Sequence, residues 1–253
     1  MPAVGVEMSP GTPSMEVIGR GFLAAHLRPI APRHPSVVVV AAGVSSTVVE
    51  SPDAFEREAH LVRETLHAAR GRLVVFFSTA SRAMYSASAS GSEHCPVAPA
   101  SDYGRHKLRL ENMIRDSGVP ALITRLTHVV GHGQRPHQLL PTLVAQVRSG
   151  EVRLRTGARR DLIDVRHVVA ILDRLLDLGV TGETVNVGSG VAWPVASIVA
   201  GIERRLRLNA RRVPAGAEPP GSPASIARLR RLVDVGPFGF DWSYPETLLD
   251  RYV

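Results

Sequence analysis

Short runs that are apolar at every position and rich in valine alternate along the chain with segments whose apolar residues recur at three- and four-residue spacing. The first kind reads as strands buried on both faces and the second as amphipathic helices, so their alternation predicts a parallel sheet covered by helices. Strands are predicted at Glu16-Val17-Ile18, Val37 to Ala41, Leu73 to Phe77, Ala121 to Leu126, near Val152 to Arg155, and Glu183 to Val187. Helices are predicted from Gly21, from about Asp53 to Ala69, from Tyr103 to about Asp116, around Leu139 to Arg148, from Val165 to Leu178, and from about Val195 to Leu206. This is the pattern of a doubly wound α/β chain. Residues 1 to 14 hold proline, glycine and serine without periodicity and are expected to form a flexible leader. Pro214 to Pro223 predicts a proline- and glycine-rich connection, followed by a short arginine-rich helix and a last helix near Pro245 to Tyr252. Residues 15 to 253 are read as one domain with a smaller lobe that comes mainly from 127 to 253.

Composition narrows the function classes. With 253 residues, 44% of them hydrophobic, the chain can bury a sizeable core without disulfides or metal. The longest apolar stretch, Val37 to Val44, falls far short of the ~20 residues that cross a bilayer, and no basic-then-apolar signal segment opens the chain. A cytoplasmic protein is expected. Cys95 is the only cysteine, which excludes an intramolecular disulfide. His128, His132 and His137 come closest to a metal cluster, but no carboxylate or cysteine completes a ligand set, so no metal is expected. The net charge of +7 favours an anionic partner. Aromatics make up only 5% and do not interleave with the basic pairs, which argues against nucleic acid. Of the 30 basic side chains 29 are arginine and one is lysine, Lys107, and the arginine excess reflects a bias of the whole sequence.

Three motifs carry candidate chemistry. Gly19-Arg20-Gly21-Phe22-Leu23-Ala24 follows a short strand and opens a helix, the pattern in which missing side chains let a backbone approach a pyrophosphate. The acidic residue expected ~20 positions on, to hold an adenine ribose, is absent between Ala24 and Thr47. Tyr103-Gly104-Arg105-His106-Lys107 puts a phenol and an ammonium at i and i+4 on one helix face. A phenol titrates near ~10, and a fixed cation beside it favours the phenolate and makes it a usable acid-base. Phe76-Phe77-Ser78-Thr79-Ala80-Ser81 places hydroxyls just past a buried strand, at the sheet edge where such folds bind ligands, and a hydroxyl there can bond a substrate carbonyl oxygen.

In this order the three elements resemble the extended short-chain dehydrogenase/reductase family, in its sugar-nucleotide epimerase, dehydratase and ketoreductase branch. The resemblance extends through Arg125-Leu126-Thr127-His128-Val129-Val130-Gly131-His132-Gly133-Gln134, Arg160-Asp161-Leu162-Ile163-Asp164-Val165 and Asn186-Val187-Gly188-Ser189-Gly190. It implies a Rossmann-type sheet with a small C-terminal substrate lobe and an NAD(P)(H) cofactor. It also implies a nucleotide-sugar substrate and a homodimer formed through the helices at Asp53 and Tyr103. Tyr103 is then the catalytic acid-base, Lys107 its cofactor-binding partner, and Thr79, or Ser81, the hydroxyl. Gly19, Gly21, Phe22, Leu23, Ala41, Ala42, Gly43 and Ser78 face the cofactor, while His128, Gln134, Arg135 and Arg160 face the substrate. Dehydratases of the family carry a carboxylate pair where Ala80 and Ser81 stand, so the expected reaction is reduction of a keto group, at C4, of a nucleotide-activated deoxysugar, as in antibiotic biosynthesis. An epimerase of the same family and a non-catalytic nucleotide-binding descendant are the alternatives. The chain departs from the family in one large respect. Only about fifteen residues link the glycine motif to the strand at Val37, where relatives use about sixty, so the first nucleotide-binding half is expected to lack two strands.

Overall fold

A computed structural model describes residues 14–44, 52–69, 71–81, 84–85, 91–99, 101–218 and 224–253. The predicted leader, except for its last residue, lies outside the described residues. The chain runs β1 (Glu16–Ile18), α1 (Phe22–Leu27), a 3-10 helix (Arg28–Arg33), β2 (Val37–Val40), α2 (Pro52–Ala68), β3 (Leu73–Thr79), α3 (Asp102–Asp116) and β4 (Ala121–Leu126). There follow β5 (His128–Val130), α4 (Leu139–Arg148), β6 (Glu151–Thr156), β7 (Arg159–Asp164), α5 (Val165–Asp177), β8 (Glu183–Val187), β9 (Ala192–Pro194), α6 (Val195–Leu206), β10 (Arg211–Ala217), α7 (Ala227–Leu232) and α8 (Tyr244–Tyr252).

The central sheet is parallel throughout, in the order β1-β2-β3-β4-β8. Alternation within each strand sorts its side chains between two cores. Val37 and Val39, Val75 and Phe77, and Leu122 pack with Leu27 of α1, Ile171 and Leu172 of α5, and Leu229 of α7. Val40, Val74, Phe76 and Ile123 pack on the other face with Val62 and Leu66 of α2 and Leu110 and Ile114 of α3. Helices on both faces of a parallel sheet are the Rossmann-type arrangement expected from the continuous apolar runs.

The strand order, however, runs one way and never reverses, and β1 is the outermost described strand on its side. The expected shortening falls here. The steps from β1 to β2, β2 to β3 and β3 to β4 move in the same direction, yet the first connection crosses the α5 face and the next two cross the opposite face. The first crossover is therefore opposite in hand to the other two, against the strong right-handed rule for such units. With α1 packed on α5 and β2 beside β1, no other hand is possible.

After β4 the chain leaves the sheet and returns for β8. The excursion builds a second core, in which Leu143 and Val147 of α4, Leu162 of β7, Ile198 and Ile202 of α6, and Leu248 and Leu249 of α8 meet. Fully buried Asp164 fastens α8 to this lobe: it accepts from Arg251 Nη1 at 2.6 Å and from the Tyr252 hydroxyl at 2.9 Å. The predicted connection over Pro214 to Pro223 is in part a strand, since β10 pairs in parallel with β6. Among the described residues β10 has no second neighbour, which is why Pro214, lacking an N–H, is tolerated.

Candidate active site

The C-terminal ends of β2 to β4 and the start of α1 open into a cleft of about 420 Å³ between the sheet and the excursion lobe. Of the residues singled out in the sequence, Phe22, Leu23, Ala41, Ala42, Gly43, Ser78, Thr79, Ser81, Tyr103, Lys107, His128, Gln134 and Arg160 line it. Gly19, Gly21 and Arg135 do not. Gly19 has a φ of +137°, and a Cβ there would lie 2.7 Å from the Ala41 carbonyl oxygen, so this glycine lets the ends of β1 and β2 pack together. Gly21 faces open space: the nearest atom to a Cβ placed on it is Arg135 Nη2, 4.0 Å away.

Tyr103 and Lys107 come from successive turns of α3, whose first turn is capped by Ser101 Oγ accepting from the Gly104 N–H at 3.1 Å. The Lys107 ammonium lies 5.8 Å from the centre of the Tyr103 ring, which joins the two groups in one site as the i, i+4 spacing requires. The sequence reading missed the third member. Lys107 Nζ donates to Glu58 Oε1 at 2.6 Å, and Glu58 Oε2 lies 3.0 Å from His106 Nε2 and accepts from the Val44 N–H at 3.0 Å. Burial opposes ionisation of Glu58, but the bonds from His106, Lys107 and Val44 outweigh it and hold the carboxyl below its ordinary range. His106 in turn stacks on Phe55, with centroids 4.3 Å apart. A signal for Glu58 was present in the sequence, since it interrupts the apolar stripe of Phe55, Ala59, Val62 and Leu66 on α2. A carboxylate in a buried stripe needs a cation, and α3 carries the only lysine.

The hydroxyls at the end of β3 differ in environment. Buried Thr79 donates from Oγ1 to Ser81 Oγ at 2.8 Å and accepts the Ser81 N–H at 3.1 Å, so it supports Ser81, which is less buried. Ser78 points elsewhere: its hydroxyl donates to Glu111 Oε1 at 2.6 Å, within a network that continues through Arg125 to Tyr85 and Asn186. Burial raises the Tyr85 phenol, while Glu111 is held below the ordinary range because the bonds from Arg125, Ser78 and Arg115 outweigh its burial. The network fixes β4 against α3 beneath the cleft floor.

On the opposite wall, burial lowers the His128 pKa to about 4, with the Arg160 cation adding to it, so the ring stays neutral at neutral pH. Arg160, expected to face the substrate, is held fork to fork by Glu218 at 2.8 and 3.0 Å. Gln134 uses its amide to staple its own loop, donating to the Val129 carbonyl at 3.0 Å and accepting from the Gly131 N–H at 3.3 Å.

Comparison with known proteins agrees with this architecture. The chain is 33% identical over 107 residues to the low-salt glycan biosynthesis protein Agl12 of Haloferax volcanii, a match covering 40% of this chain and about a third, 34%, of that protein. Among solved structures it is similar to a UDP-glucose 4-epimerase of Thermotoga maritima with UDP-glucose, with a TM-score of 0.75, 17% identity, and 94% and 97% of the two chains covered. It is also similar to a UDP-glucose 4-epimerase of Thermus thermophilus in complex with NAD, with a TM-score of 0.74, 18% identity, and 93% and 97% covered. These likenesses establish the fold, and the sequence profile of the NAD dependent epimerase/dehydratase family matches residues 24–188: the chain is a member of that family.

Proposed function

We propose that this family member is an NAD(P)-dependent reductase of a keto group, at C4, on a nucleotide-activated deoxysugar. The observation that carries the reading is the convergence of Tyr103, Lys107, Thr79 and Ser81 on one cleft at the carboxyl edge of a parallel sheet. When bound in this cleft, a reduced nicotinamide would supply the hydride. Thr79 orients Ser81, whose hydroxyl bonds the substrate carbonyl oxygen. Tyr103 delivers the proton to that oxygen. Lys107 has three N–H donors, of which Glu58 takes one, and its side chain lines the cleft beside the phenol.

The cofactor's reacting end fits these residues. Ala41, Ala42 and Gly43 form a side-chain-poor floor next to Lys107, and the space before Gly21 is open. Its adenosine end does not fit, because β1 is the outermost described strand on that side. This, with the hold of Glu58 on Lys107, favours a second reading, a non-catalytic nucleotide-binding descendant. The proposed homodimer uses α2 and α3, whose first turns flank an open surface hollow carrying Glu56, Asp102, Arg105 and Arg109. Among the described residues no helix is long and apolar enough to cross a membrane.

Incubation with a panel of 4-keto sugar nucleotides, following nicotinamide absorbance, tests the reading. One reduced nicotinamide consumed per sugar reduced supports it, and sugar inversion without net consumption replaces it with an epimerase. Absence of saturable NADH or NADPH binding at millimolar concentration leaves the non-catalytic reading.

A further inference from the structure

We propose that the cofactor site grips only the nicotinamide mononucleotide half of the cofactor, with Arg135 as its phosphate contact, and leaves the adenosine half in solvent; this rests on the oxidoreductase reading above. A dinucleotide lies across a parallel sheet where the strand order reverses, with its halves on either side of the first strand. Here the order β1-β2-β3-β4-β8 never reverses, so among the described residues the adenosine side of that crevice has no strand to form its wall. The link between β1 and β2 folds back on the protein instead. The Ala31 carbonyl accepts the Met15 N–H at 2.7 Å, Arg33 pairs with Asp173 and Asp177, and His34 Nε2 lies 2.8 Å from Asp173 Oδ1. Arg33 is thereby committed and does not serve a ribose 2′-phosphate. No carboxylate between Ala24 and Thr47 is available to hold an adenine ribose.

The nicotinamide side is furnished. Arg135 is exposed and reaches the glycine turn, with Nη2 4.0 Å from the Cβ position of Gly21. Among the described residues no carboxylate pairs with it, in contrast to Arg160 with Glu218 and Arg125 with Glu111. A single guanidinium at an open glycine turn suits a single phosphate. A dinucleotide site that spans both phosphates loses affinity when the adenylate is removed, and this one should not.

Calorimetry on the full chain with NADH, NADPH, reduced nicotinamide mononucleotide and ADP-ribose tests this. The expected result is that the mononucleotide, NADH and NADPH share a Kd within about threefold, that ADP-ribose fails to compete, and that Arg135→Ala weakens all three by about tenfold with an unchanged melting temperature. NADH binding about tenfold or more tightly than the mononucleotide overturns the inference and leaves the oxidoreductase reading standing. An unchanged Kd in the Arg135 variant overturns the phosphate assignment. Failure of all three nicotinamides to bind overturns the oxidoreductase reading and the inference with it.

Discussion

The carboxylate of Glu58 and the ammonium of Lys107 meet at 2.6 Å with their side chains only 1% and 5% exposed. Two charges so placed lose their hydration, and each depends on the other for compensation. Replacing Glu58 by Ala strands the lysine and is expected to cost about 3–5 kcal/mol in urea unfolding, whereas Glu58→Met with Lys107→Met together should recover most of the loss. The Glu58 carboxyl is held below its ordinary 4.5, so its contribution is full above about pH 4.5 and is lost as pH falls through the lowered value. Because Lys107 is the only lysine, a ¹³C-lysine label reports on it alone, and an unmoved side-chain resonance in Glu58→Gln would refute the pairing.

Gly43 is the second consequence of that pair. Its φ is +152°, and a Cβ there would sit 2.2 Å from Glu58 Oε1, so the carboxylate occupies the space that a side chain would need. Gly43→Ala should destabilise the protein by about 1–3 kcal/mol from backbone conformation, and by more where the carboxylate is displaced. A melting temperature equal to that of the parent would show that Glu58 does not occupy this place.

How far the sequence reveals such relationships depends on whether the cause is local. The runs at Val37, Leu73 and Ala121 are apolar at successive positions, so the buried parallel strands were readable directly. Tyr103 and Lys107 lie one helical turn apart, and their meeting follows from that spacing. Glu58 and Lys107 are 49 positions apart, and only the packing of α2 on α3 joins them. Arg160 is read from the sequence as facing the substrate, and the partner that holds it, Glu218, arrives 58 positions later at the end of β10. That strand was obscured by its own Pro214, which reads as a loop until the unpaired edge is known. The short link after Gly19 announced the missing strands by length, but the reversed hand of its crossover depends on which sheet face α1 packs, and no residue count shows that.

The Thr79 and Ser81 hydroxyls separate by substitution. Thr79 donates to Ser81, so under the proposed mechanism Ser81→Ala should lower kcat by about 10²–10³ and Thr79→Ala by about tenfold. The reverse ranking in steady-state assays would assign the substrate contact to Thr79.

Tyr103→Phe removes the proton donor and keeps the ring, so turnover of a 4-keto deoxysugar nucleotide should disappear while cofactor Kd stays within about twofold. Lys107→Arg should weaken both, since a forked guanidinium cannot replace an ammonium buried against Glu58 and the Phe76 ring. Unchanged turnover in either variant, measured beside calorimetric binding, would remove that residue from the mechanism.

His128 supplies a stability test that needs no substrate. Its folded pKa of about 4 lies below the unfolded 6.5, chiefly through burial and secondarily through Arg160. The unfolded chain therefore takes up the proton first. The stability tied to the neutral ring is complete above pH 6.5 and drains away as pH falls from 6.5 towards 4, by up to about 3 kcal/mol. His128→Asn cannot titrate, so its urea-derived stability should fall less steeply than the parent's across that window and run parallel to it above pH 7. His167, also lowered by burial, the carboxyls of Glu58 and Glu111, and Asp161, whose carboxyl burial raises to about 6 so that it gains stability as pH falls through that value, titrate in both proteins and cancel in the difference. Parallel curves down to pH 4 would mean that the His128 ring takes up its proton in the folded protein as readily as in the unfolded chain, and burial as the cause of its lowered pKa would have to be abandoned.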